Sequence, residues 1–128
     1  DIDFLADTIK MSIHTSSYAY APGLGTGVYF DSATNEVTGT NYTAGGASLA
    51  SKTTSAADPC VWDCDDITIA QSGAGFSNGR NLIFYKDTGV AATSPLICRF
   101  GASADFGNVS GTLTVQIAAT GLIRVDLQ

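Results

Sequence analysis

The chain has 128 residues, enough for one domain (1–128) with a core that needs neither disulfides nor metals. Charged residues make up 14% of it, against roughly 25% in ordinary soluble domains, and Thr, Ser, Gly and Ala stand in their place. The net charge of −6 leaves six scattered basic residues and no basic stripe, which argues against direct nucleic-acid binding and against an anionic membrane surface.

The first ten residues place Ile2, Leu5 and Ile9 at near-helical spacing. The stronger signal overlaps them: Thr8–His14 reads as a strand, with Ile9, Met11 and Ile13 on one face and Thr8, Lys10, Ser12 and His14 on a polar one. Ser16–Gly27 is a loop rich in Gly and Tyr, and Val28–Phe30 is a short strand or part of the same excursion. Asp31–Asn35 has turn chemistry. Glu36–Thr40 is short and polar, and Asn41–Gly46 is irregular around its Gly45-Gly46 pair. Ala47–Ala56 alternates weakly. After the Asp58-Pro59 break, Cys60, Trp62 and Cys64 share a face opposite Val61 and Asp63, and Ile67–Ala70 continues as strand.

Ser72–Gly79 is a Gly-rich loop or bulged strand. Asn81–Lys86 is the clearest strand, and its apolar run Leu82–Tyr85 predicts burial on both faces. Asp87–Ser94 is a hairpin loop, Pro95–Phe100 its partner strand and Gly101–Gly111 another turn region. Thr112–Ala118 alternates with Leu113, Val115 and Ile117 inward. Leu122–Leu127 closes the chain and sends Val125 and Leu127 toward the core. The expected fold is all-β: one β-sandwich or flattened barrel of about eight short, mostly antiparallel strands. So few charges leave edge strands poorly blunted, and pairing with a neighbouring subunit is one way to cover them.

Catalytic signals are thin. A nucleophilic triad needs a base, and the one histidine, His14, is expected at a surface or interface. Asp58, Asp63, Asp65 and Asp66 form an acidic cluster that suits a solvated turn better than a calcium site or a glycosidase pair. Cys60, Cys64 and Cys98 are an odd set without zinc-site spacing, and are expected to pack as small apolar residues. Gly23–Gly27 lacks the strand, helix and Lys of a phosphate loop. Asn41-Tyr42-Thr43 and Asn108-Val109-Ser110 match the glycosylation sequon by spacing alone. No catalytic residue, cofactor or metal is assigned. Tyr18, Tyr20, Tyr29 and Tyr42, in or beside Gly-rich segments, are the candidate interface residues, because Tyr offers large contact area at low entropy cost.

The stretch Asn35-Glu36-Val37-Thr38-Gly39-Thr40-Asn41-Tyr42-Thr43-Ala44-Gly45-Gly46-Ala47-Ser48-Leu49, with Ile83–Gly89 and Ala92–Ile97, resembles small structural proteins of tailed bacteriophages. Asp7–Lys10 and Thr15–Tyr18 fit the same pattern, so the resemblance covers most of the chain. It departs at Cys60–Cys64, where relatives often have a longer polar stretch. The resemblance implies a virion component without enzymatic activity. The expected role is a capsid decoration (cement) protein on the outer head surface, in contact with the major capsid protein and assembled as a homo-oligomer, with a trimer favoured. A tail or fibre component, or a carbohydrate-binding adhesin module, is the alternative.

Overall fold

A computed structural model describes residues 1–19, 27–55 and 57–126. Tyr20, most of the Gly23–Gly27 segment and Leu127 lie outside the described residues. Within them the chain is all-β. Nine strands make three antiparallel sheets: β1 (Ile9–His14), β2 (Ala47–Ser48), β3 (Thr53–Ser55), β4 (Cys60–Asp63), β5 (Ile67–Ile69), β6 (Gly79–Lys86), β7 (Leu96–Phe106), β8 (Leu113–Val115) and β9 (Ile123–Val125). The main sheet runs β2-β1-β6-β7. Two smaller ones, β3-β4-β9 and β5-β8, complete a sandwich-like arrangement.

β1 and β6 are the spine. They pair in unbroken register from Ile9 opposite Lys86 to His14 opposite Asn81. Directly opposed residues share a face, so Ile9, Met11 and Ile13 lie with Leu82 and Phe84. That face joins Phe4, Val37, Leu49, Ile67, Ile69 and Phe76 in the apolar core. Strict alternation on β1, β5 and β8 fits this packing.

The other face of β1 departs from expectation. Ser12 and His14 are fully buried, not solvated. With Ile83 and Tyr85 on the same face of β6, they form a second buried layer. The cover comes from the segment after β1. Phe30, in a 3-10 turn at Phe30–Ser32, stacks on Tyr85 with ring centroids 4.0 Å apart, and Tyr18 tilts against His14 at 5.3 Å. The expected Gly/Tyr loop is therefore partly a wrap over the sheet.

Two further expectations change. The strand expected at Pro95–Phe100 runs on to Phe106, so Gly101–Phe106 is not turn. Its register slips between Gly79 and Asn81, and four residues of β7, from Ala102 to Asp105, bow out opposite Arg80. The Arg80 side chain fills that bulge, donating to Asp105 Oδ1 at 2.7 Å and to Ser103 O at 3.1 Å. Val125 is 60% exposed and does not join the core, because β9 pairs on only one side, with β4.

Candidate functional site

A reactive site needs polar groups that are not already satisfied, and among the described residues the buried polar side-chain groups all have hydrogen-bond partners. His14 Nδ1 lies 2.8 Å from Thr34 O, and its Nε2 lies 2.9 Å from Ser12 Oγ. A carbonyl can only accept, so Nδ1 carries the proton and Nε2 accepts from the serine hydroxyl. The Ser12–His14 distance is that of a nucleophile and its base. Both residues are shut away from solvent, however, and the aromatic rings of Tyr18 and Phe30 close over the imidazole. Burial holds the His14 pKa below its ordinary value, against the opposing pull of Thr34 O and the Glu36 carboxylate. This is a core pair with no approach for a substrate.

Gly75-Phe76-Ser77-Asn78-Gly79 fits the G-x-S-x-G spacing of a nucleophile elbow. An elbow is a strand-to-helix turn; this segment is a loop leading into β6, and the one histidine is committed elsewhere. Its glycines have packing reasons. A side chain at Gly75 would strike Asn108 Oδ1, and one at Gly79 would strike Phe106 and Ile13.

A second polar cluster sits where the Glu36–Gly46 segment folds back on β1. Glu36 Oε1 accepts from the Tyr42 hydroxyl at 2.6 Å and from Gly45 N at 2.7 Å. The Tyr42 oxygen in turn accepts from Ile13 N at 2.9 Å, and Tyr85 donates to Gly45 O at 2.7 Å. Burial, then the bond to Glu36, raises the Tyr42 pKa well above the usual phenol range. Gly46 has φ +76, and a Cβ there would lie 1.9 Å from Met11 O, so only glycine lets this loop rest on β1. The Glu36–Gly46 segment thus forms a clasp on β1.

Asn108 is the third fully buried polar anchor. Its Oδ1 accepts from Phe76 N at 2.9 Å, while Nδ2 donates to Thr40 O at 3.0 Å and to Ala70 O at 2.8 Å. One amide joins three loops, and the second sequon has no room for a glycan. Sequence gave no sign of this role, because the partners lie 32 to 68 residues away.

The acidic cluster is dispersed into loop ties. Asp65 accepts from Ser51 Oγ at 2.6 Å, Asp66 from Ile117 N at 2.8 Å and Asp63 from Cys64 N at 2.9 Å. Among the described residues no group of three His, Cys, Asp or Glu side chains is placed to hold a metal ion. The three cysteines are unbridged. Burial, together with the Asp63, Asp65 and Asp66 charges, pushes the Cys64 thiol up to about 11, and burial alone pushes Cys98 up to about 11. Both are poor nucleophiles at neutral pH. Trp62 is half-buried and stacks on Phe4 at 4.7 Å, which gives the Cys60–Cys64 strand a packing role.

The tyrosines separate. Tyr18 is buried beside His14, Tyr42 is held in the clasp, and Tyr29 is 45% exposed. Tyr29 bridges Pro95 on the outer edge of β7, where Leu96 N donates to Val28 O and Phe30 N to Ser94 O, both at 2.8 Å. Beyond this start, β7 is the terminal strand of the main sheet and has no outer partner among the described residues. Residues 99–105 are exposed throughout. Phe100, 45% exposed, edges onto Phe84 and lines an apolar groove of about 250 Å³ with Leu82, Val115, Ile117 and Leu122. No residue lining the groove is charged. Exposed Val28 and Val90 extend the apolar surface on the other side of the strand's start. For contact with another molecule, the described surface offers an open strand edge, an apolar groove and exposed aromatic rings.

No protein-family model, curated protein or solved structure matches the chain.

Proposed function

We propose that this chain is a structural subunit of a bacteriophage virion, acting as a capsid decoration protein through protein–protein contacts and without catalysis. The observation that carries the assembly reading is the β7 edge: a long terminal strand, exposed over residues 99–105, beside an uncharged groove. An unpaired edge is a template for another chain. An exposed aromatic next to an apolar groove is the usual anatomy of an interface core. The virion assignment draws on the sequence resemblance over Asn35–Leu49 and Ile83–Ile97. In the folded chain those motifs build the Glu36–Tyr42–Gly45 clasp and the hairpin in which Asp87 accepts from Gly89 N and Ser94 Oγ accepts from Thr88 N. They specify the scaffold, and the β7 edge and Tyr29 supply contact surface.

In this reading the partners are the major capsid protein and further copies of the chain, a trimer fitting local three-fold positions on the outer head surface. Cryo-EM of particles carrying the chain tests it: density on the outer capsid lattice is expected, and density confined to the tail overturns the decoration role in favour of a tail or fibre part. Phe100→Glu should abolish binding to heads lacking the protein while leaving the far-UV circular dichroism spectrum unchanged.

A further inference from the structure

We propose that His14 is an acid-sensitive latch, protonation of its imidazole loosening the Phe30–Glu36 segment from β1. The inference is independent of the virion reading. Its basis is geometric. His14 ends β1, is fully buried, and holds the wrapping segment through three contacts: Nδ1–H to Thr34 O at 2.8 Å, the edge-on Phe30 ring at 6.2 Å, and the β-bridge to Glu36. Adjacent backbone bonds, Thr15 N to Asn35 O at 2.9 Å and Val37 N to Ile13 O at 3.0 Å, bracket the same join.

The neutral imidazole is satisfied at both nitrogens. A proton added at Nε2 turns the acceptor of the Ser12 hydroxyl into a donor pointed at it. Ser12 Oγ must then rotate its own hydrogen away, and among the described residues its side chain has no other hydrogen-bond partner. The charge would also sit in a site walled by Tyr18, Phe30 and Ile83, away from water.

Of the charged and titratable groups packed around it, the Glu36 carboxylate favours the charged imidazole, but less strongly than burial opposes it. On the wrapping segment, Glu36 already accepts from Tyr42 and Gly45, and Asp31 is exposed to solvent. On β6 the residue opposite is Asn81, whose Nδ2 donates to Thr15 O and whose Oδ1 is held by the Arg99 guanidinium of β7. Tyr18 contributes its ring. Opening the segment exposes His14 to water, where its ordinary pKa near 6.5 applies. Acid therefore favours the opened form. The latch is closed above pH ~6.5 and weakens as pH falls through the interval down to the depressed native value.

The sequence contains one histidine, so a titration in the imidazole range has one imidazole to own it. Amide hydrogen exchange over residues 30–37, corrected for the intrinsic pH dependence of exchange, reads the opening constant directly. Between pH 7.5 and 5 that constant should rise by as much as about tenfold per pH unit below 6.5, and the rise should vanish in His14→Gln. Unchanged protection across this range, or an equal rise in His14→Gln, overturns the latch. Should His14→Gln fail to fold, an imidazole NMR titration of the wild type decides: a midpoint below 6.5 from the Nδ1–H tautomer supports the proposal, and a midpoint at or above 6.5 overturns it.

Discussion

The two faces of the β1–β6 pair are equally buried and are stabilised differently. One face, with Ile9, Met11, Ile13 and Phe84, is filled by apolar side chains from many other parts of the chain and makes no directional demands. The other, with Ser12, His14, Ile83 and Tyr85, is closed by one segment and depends on hydrogen bonds meeting their partners. Apolar burial scales with area and is insensitive to pH. A buried polar layer contributes only while every donor and acceptor is matched. The same two strands thus carry a permanent core on one side and a conditional one on the other.

The comparison is sharpest in its largest expected effect. Phe84→Ala empties a fully buried site on the apolar face and should cost about 3–5 kcal/mol in urea denaturation, equally at pH 5.5 and pH 7.5. A cost that changes with pH would remove the distinction between the faces. Asn108→Ala comes next, since it leaves Phe76 N and Thr40 O without their Asn108 partner and takes from Ala70 O the shorter of its two side-chain bonds, the other being from Asn41 Nδ2. About 3 kcal/mol is expected by thermal or chemical unfolding. Asn108→Asp should not rescue it, because a carboxylate cannot donate to the two carbonyls.

Smaller still is Tyr42→Phe, which keeps the ring against Phe76 and removes the hydroxyl shared by Ile13 N and Glu36. About 1–3 kcal/mol is expected, again by denaturation. On the polar face, the wild type should lose stability as pH falls from 6.5 while His14→Gln does not, since the native His14 binds its proton less readily than the unfolded chain does. Equal pH profiles for the two proteins would make the faces alike. Lys86→Ala sets the floor. Its ion pair with Asp7 at 2.8 Å is partly open to water, and its loss should cost no more than about 1 kcal/mol, less in high salt.

Much of the architecture was legible in residue order. Period-two alternation in Ile9–Ile13 and Leu113–Val115 placed strands, because a strand sends successive side chains to opposite faces. The unbroken run Leu82–Tyr85 announced a strand buried on both sides, and the Gly45-Gly46 pair marked a place where backbone lies on backbone. Where the chain turns, and which residues are apolar, are local properties that the sequence by itself determined. What covers a polar face is not local. Ser12 and His14 look the same in sequence whether they meet water or Phe30 and Thr34, and only the tertiary structure brings those partners back across 16 to 20 residues. The same holds for the interface. Tyr18, Tyr29 and Tyr42 are alike as residues, yet two are held inside the fold and one lies at the edge of β7. A side chain's availability for contact is set by its neighbours in space, and hydrogen bonding and packing choose those neighbours only when the whole chain has folded.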